Sequence, residues 1–156
     1  MQCVGGRNTE PDKVGEAHSP DYASGNLSIS SQATSYRSQD DLNADIAIIN
    51  SPKVSGCYKQ LLRSQITASS PGTTVNSISL TITPGSGGGP SNVVGTGTGT
   101  VTITASGKTA TVYIGVAFIT GPLIEAEVDA ENVGQPVPAD LMSALVTKVA
   151  ARAAAA

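Results

Sequence analysis

The feature that most constrains this chain is a change of hydrophobic period part-way along it. Between residues 38 and 65 apolar residues recur at helical spacing, whereas from 74 to 133 they fall in four consecutive runs separated by turn residues. Residues 74–83 set Val75, Ile78, Leu80 and Ile82 among serines and threonines, which predicts a strand. A glycine-rich loop at 84–90 leads to a second strand at 93–104, Ser106-Gly107 turns the chain, and residues 109–120 return as a run rich in β-branched residues. Gly121-Pro122 turns it again. In residues 123–133, Ile124, Ala126, Val128 and Ala130 alternate with Glu125, Glu127, Asp129 and Glu131, the pattern of a strand with one face on a core and one in water. Four strands joined by short turns predict an antiparallel meander.

Residues 26–36, with Leu27 and Ile29 between serines, read as a further half-buried strand. Ser38 followed by Asp41 resembles a capping box, and Leu42, Ile46 and Ile49 continue it as a short amphipathic helix. Ser51 and Pro52 suit the N-cap and first position of a second helix, whose stripe of Val54, Cys57, Tyr58, Leu61 and Leu62 runs to about residue 65. Gly56 weakens that helix by about 1 kcal/mol relative to Ala, tolerable if it packs closely on a sheet. After Pro136-Val137-Pro138, a closing helix places Leu141, Leu145, Val149 and Arg152 on one face. The expectation is an α+β fold of order β-α-α-β-β-β-β-α, an antiparallel meander covered on one face by helices. Residues 1–25 lack periodicity and read as an irregular arm, residues 26–153 as one domain, and 154–156 as a frayed tail.

A chain of 156 residues is long enough for one hydrophobic core. Only 13% of it is charged, and Ser, Thr, Gly and Pro fill the gaps between apolar runs, which points outside the cytosol. A net charge of −3 and an aromatic content of 3% argue against nucleic acid as a partner. No apolar run reaches the roughly 18 residues of a membrane span, and the first residues are too polar for a signal peptide, so export implies a signal already removed. Cys3 and Cys57 form no C-x-x-C pattern. In an exported protein they would pair, closing a long loop and contributing roughly 4 kcal/mol. Two free thiols, with Cys57 a small buried hydrophobe, or a lipid-bearing Cys3 are the other readings.

Catalytic signatures are lacking. His18, the only histidine, falls in the arm and reads as a surface residue, so no catalytic residue is assigned. The acidic row Glu125, Glu127, Asp129 and Glu131 spaces its side chains about 7 Å apart along a strand, too far to converge on one ion, so it reads as a solvated face and no metal site is expected. Gly85-Ser86-Gly87-Gly88-Gly89 is followed by Pro90 and a strand, which suits a hairpin loop better than a phosphate cradle. No cofactor is implied. Gly95, Gly97 and Gly99 alternate with threonines and leave a strip of strand without side chains. A helix could pack on it, the strand could bulge there, or it could floor a groove for an elongated ligand; these glycines are the candidate ligand-binding residues.

Ser51-Pro52-Lys53 leading to Cys57-Tyr58, the strand at 112–119 turning at Gly121, and Gly134-Gln135-Pro136-Val137-Pro138 before a helix ending near Arg152 together resemble a known group. It comprises the secreted and lipoprotein sensor-like domains of mycobacteria and related actinobacteria, such as the extracellular sensor domain of PknH-type serine/threonine kinases. The fold shared by Mog1 and PsbP proteins is a second resemblance. The first implies export, a twisted antiparallel sheet with helices on one face, and a cleft for an unknown ligand. It implies a non-catalytic extracytoplasmic binding or sensor-like domain, secreted or attached to the cell surface, whose partner is a small molecule or lipid. The alternative is an envelope module that works by contacting another protein; an unrecognised hydrolase is third.

Overall fold

The computed structural model describes residues 4, 5 and 8–156. A 3-10 turn at Glu10–Asp12 precedes β1 (Lys13–His18), β2 (Tyr22–Ser24), β3 (Leu27–Tyr36), α1 (Gln39–Ile49), α2 (Val54–Ser69), β4 (Thr73–Pro84), β5 (Val93–Ala105), β6 (Lys108–Gly121), β7 (Ile124–Val133) and α3 (Ala139–Ala154). The protein is α+β, and from β3 onward its elements follow the expected order. All seven strands form one antiparallel sheet in the order β1-β3-β7-β6-β5-β4, with β2 also beside β3.

Local chemistry explains most of the boundaries. Ser106 and Gly107 both take positive φ, 50° and 74°, as a two-residue hairpin with right-twisted strands requires. Threonine pairs then lock β5 to β6, Thr104 with Thr109 at 2.9 Å and Thr102 with Thr111 at 3.4 Å. Ser38 caps α1, its Oγ accepting from the Asp41 N–H at 3.2 Å. The second helix departs from expectation: Lys53 stands at its N-cap without a side-chain cap, because the Ser51 hydroxyl accepts from the Lys53 N–H at 3.3 Å and closes a turn before the helix begins.

The helices do not share one face of the sheet, which corrects the expected one-sided cover. On β6, Val116 and Phe118 pack with Ile49, Val54, Leu80 and Ile82, while Ala117 and Ile119 pack with Ala126, Val128, Val146 and Ala150. Successive strand residues face opposite ways, so α1 and α2 lie on one side and α3 on the other. α3 comes so close that the Ala153 carbonyl occupies the space a side chain at Gly121 would need.

A second correction concerns the arm. Residues expected to be irregular form β1 and β2, both paired to β3, and the Ser19 N–H donates to the Ser31 carbonyl at 2.8 Å. Their side chains are largely exposed, Val14 and Tyr22 included, so no apolar alternation announces them; the stabilising contacts are backbone hydrogen bonds to a strand elsewhere in the chain. Cys57 is buried in α2 and disulfide-bonded, whereas Cys3 lies outside the described residues. No helix among the described residues is long and apolar enough to cross a membrane.

Candidate functional site: an acid-lined cavity

The strand β7 sits between β3 and β6, and its register decides what the acidic row faces. Glu125, Glu127, Asp129 and Glu131 stand opposite Thr34, Gln32, Ser30 and Ser28 of β3, and opposite Thr120, Phe118, Val116 and Ile114 of β6. That face lies on the side of α1 and α2. The expected solvated row is corrected for Glu125, Glu127 and Asp129, which are half-buried, while Glu131 is exposed as expected; the acids line an open cavity of about 530 Å³, floored by β3 and β7 and walled by α1, α2 and the segment before β1.

At one end of the cavity the Tyr36 hydroxyl donates to Asp45 Oδ2 and, at 3.3 Å, to Glu125 Oε2. The Thr9 hydroxyl donates to Asp45 Oδ1 at 2.8 Å. The Asp45 and Glu125 carboxyls are themselves hydrogen-bonded. Burial pushes the Glu125 carboxyl up, and the bond to Asp45 and its charge push it further. Burial works against the charge of Asp45 too, but hydrogen bonds from Glu125, Tyr36 and Thr9 and the nearby Lys13 ammonium hold it below the usual range. Burial and the facing carboxyl thus disfavour two negative charges on this pair.

The middle of the row repeats the theme. Glu127 accepts from Gln32 Nε2 at 2.7 Å and from the Tyr58 hydroxyl, and burial with the adjacent carboxylates pushes both tyrosine phenols up. Asp129 is raised to about 8 by burial and by the charges of Glu127 and Glu131. At neutral pH the cavity therefore presents ionised and protonated carboxyls side by side, against an apolar wall that includes Ile48, Leu62 and Phe118. Such a surface can accept hydrogen bonds from a cation and pack an apolar body at the same time.

His18, expected in coil, stands on β1 at the rim of this cavity, Nε2 3.4 Å from Glu16 Oε1. Among the described residues no group of three or more His, Cys, Asp and Glu side chains is arranged to hold a metal ion. The glycine strip lies elsewhere. A side chain at Gly95 would meet Ile49 of α1 at 2.8 Å, and one at Gly97 would meet Val116 at 2.7 Å and Ile82 at 3.1 Å. At Gly99 it would strike the backbone of Ser79 and Leu80. Neighbours already fill the strip, so it does not floor a groove at Gly95 or Gly97. Gly99 borders a second cavity, about 630 Å³, on the α3 side between the glycine-rich loop, Thr96, Thr98, Tyr113 and Met142.

Tyr36, Asp45, Tyr58, Gln32 and Thr9 carry the cavity's hydrogen bonds, and none was a candidate from sequence. One signal was present: Asp45 falls within the helical stripe of Leu42, Ile46 and Ile49, where a carboxylate has no place unless it faces a polar site. Comparison with known proteins returns no match, whether to a family model, a curated protein or a solved structure.

Proposed function

We propose that this chain is a non-catalytic, extracytoplasmic binding module of the sensor-like kind, and that it holds a small organic cation with an apolar body in the acid-lined cavity. The observation that carries the reading is the Asp45–Glu125 pair at one end of a cavity walled by Tyr36 and Phe118. Partly buried carboxyls that face one another cost folding energy, and an open cavity around them returns none of it through packing; a ligand that brings its own positive charge does. A lipid, the other small-molecule class considered, suits this lining poorly. Export is supported by the disulfide at Cys57 and the low charge of the chain, and the resemblance to actinobacterial sensor-like domains points the same way.

Isothermal titration calorimetry with hexylamine, against hexanol and hexanoate, tests the proposal. The amine is expected to bind with one-to-one stoichiometry, more tightly as pH rises from about 6 to about 8, and to release protons as it displaces them from Glu125 and Asp129. Equal binding of the alcohol, or amine binding without proton release, would remove the acidic cavity as the site.

A further inference from the structure

The second cavity, about 630 Å³, lies on the face of the sheet opposite the acid-lined one. Ala117 of β6 packs with Val146 and Ala150 of α3, and across the β5–β6 ladder Thr96 stands beside Ala117 and Thr98 beside Gly115. Paired residues share a face, so both threonines look toward the side of α3. That helix packs over β6 and β7 and leaves Thr98 exposed. The cavity is the step between the flank of α3 and the uncovered strand, closed at one end by the loop at 86–90. The loop is fastened down, since the Gly85 N–H donates to the Val94 carbonyl at 2.8 Å and the Gly89 N–H to the Ser86 carbonyl at 2.8 Å.

The lining differs in kind from that of the first cavity. Among the described residues no Asp, Glu, Lys, Arg or His lines it. An ionic ligand would lose its water there and meet no countercharge, which disfavours ions of either sign. The helix side is apolar, with Val137, Met142 and Val146, and the sheet side offers the hydroxyls of Thr96, Thr98 and Tyr113. Tyr36 and Tyr58 direct their hydroxyls to carboxylates, whereas the hydroxyl of half-buried Tyr113 has no partner among the described residues. Gly115 keeps the floor between the two sides low, and a side chain there would stand 3.6 Å from Met142 Sδ.

We propose that this cavity binds a neutral aromatic ring system bearing a hydroxyl group, independently of the cation site on the other face of the sheet. The ring packs beside Gly115 against the Met142 sulfur and the Tyr113 ring, both favourable aromatic contacts. Its hydroxyl reaches Thr98 or Tyr113, each of which can donate or accept. A rigid ring suits this step better than an acyl chain, because it loses little conformational freedom on binding. The unbranched side chain of Met142 lets the helix wall adjust to the ring's outline.

Nuclear magnetic resonance of the full chain, labelled at the methionine methyl carbons, tests this directly, because Met1 and Met142 are its only methionines. Titration with 2-naphthol is expected to shift the Met142 signal saturably, through the ring current of the ligand, and to leave the Met1 signal in place. The shift should persist in excess hexylamine, which addresses the other cavity. Thr98→Glu, at an exposed position, should weaken binding about tenfold or more by setting a charge in the neutral lining. Circular dichroism and melting confirm that the variant is folded; if it is not, Ser143→Glu, exposed on α3, makes the same comparison. A Met142 signal that does not move saturably overturns the proposal, as does displacement by hexylamine or a folded variant that binds like the wild type. Equal binding of 2-naphthoate, or of the saturated decahydro-2-naphthol, overturns it as well.

Discussion

Asp45 of α1 and Glu125 of β7 meet as a pair of carboxyls bridged by the Tyr36 hydroxyl. Neither element could make this contact alone. β7 supplies Glu125 at its first turn-proximal positions, β3 ends in Tyr36, and α1 begins just after it, so the chain brings all three groups together at one corner of the sheet. The Tyr36 N–H also donates to the Leu123 carbonyl at 2.8 Å, tying that corner to the turn that starts β7.

The raised carboxyls make stability depend on pH in a definite direction. Glu125 and Asp129 hold protons in the folded chain that they would release unfolded, so their favourable contribution is complete below the ordinary carboxylate range and is lost as pH rises through about 8 for Asp129. Asp45 has the opposite sign, its contribution being lost as pH falls below the ordinary range. The melting temperature, followed by circular dichroism, should fall by about 5 °C or more between about pH 5 and about pH 9. Glu125→Gln should flatten that fall and raise stability at the alkaline end; an unchanged profile would mean Glu125 ionises as freely folded as unfolded.

The glycine strip gives a contrast between neighbours in the sheet. Gly97→Ala pushes a methyl group into Val116 and Ile82 and should cost about 2 kcal/mol, with Gly99→Ala costing more because backbone stands in the way. Gly115→Ala meets its first neighbour, Met142 Sδ, at 3.6 Å and should stay within about 0.5 kcal/mol of wild type. Urea unfolding of Gly97→Ala and Gly99→Ala, with Gly115→Ala on the α3 face as the control, distinguishes packing from a ligand groove, since a groove would accept the first two methyl groups at little cost.

Gly56 offers the reverse case. It lies inside α2, and a side chain there would meet nothing within 4 Å, so the close packing expected to justify it is absent. Gly56→Ala should stabilise the protein by about 1 kcal/mol in the same urea measurement.

Leu123 adopts a φ of 57° after Pro122, the position of a tight turn that glycine fills most easily. Leu123→Gly should therefore leave stability unchanged or raise it by up to about 1 kcal/mol, while keeping the bond from Tyr36. A loss of more than that in thermal melting would show that the exposed leucine side chain matters more than its backbone.

The meander was legible because its determinants are local: period-two alternation, Ser106-Gly107 and Gly121-Pro122 all act within a few residues. The Ser38 cap was legible for the same reason. β1 and β2 were not, since their pairing with β3 is a backbone interaction between distant segments whose side chains stay exposed. The acidic row could be read as a row, but its surroundings depend on β3 pairing with β7, which no short-range pattern encodes. Helices on both faces followed from that same pairing, because a β7 flanked on both sides by strands needs cover above and below. The glycine strip was correctly read as bare, and it is bare because Ile49 and the side chains of β4 and β6 fill it.

Leu27 pairs with Asn132 and Ser35 with Ile124, so β3, which precedes both helices in the chain, closes against β7, the last strand made. A nascent or truncated chain can assemble the hairpins from β4 to β7 from neighbouring contacts, but it bears no pocket of acids until its two ends have found each other, the slowest kind of contact to form. The acid-lined cavity thus exists only in copies whose folding has run to completion.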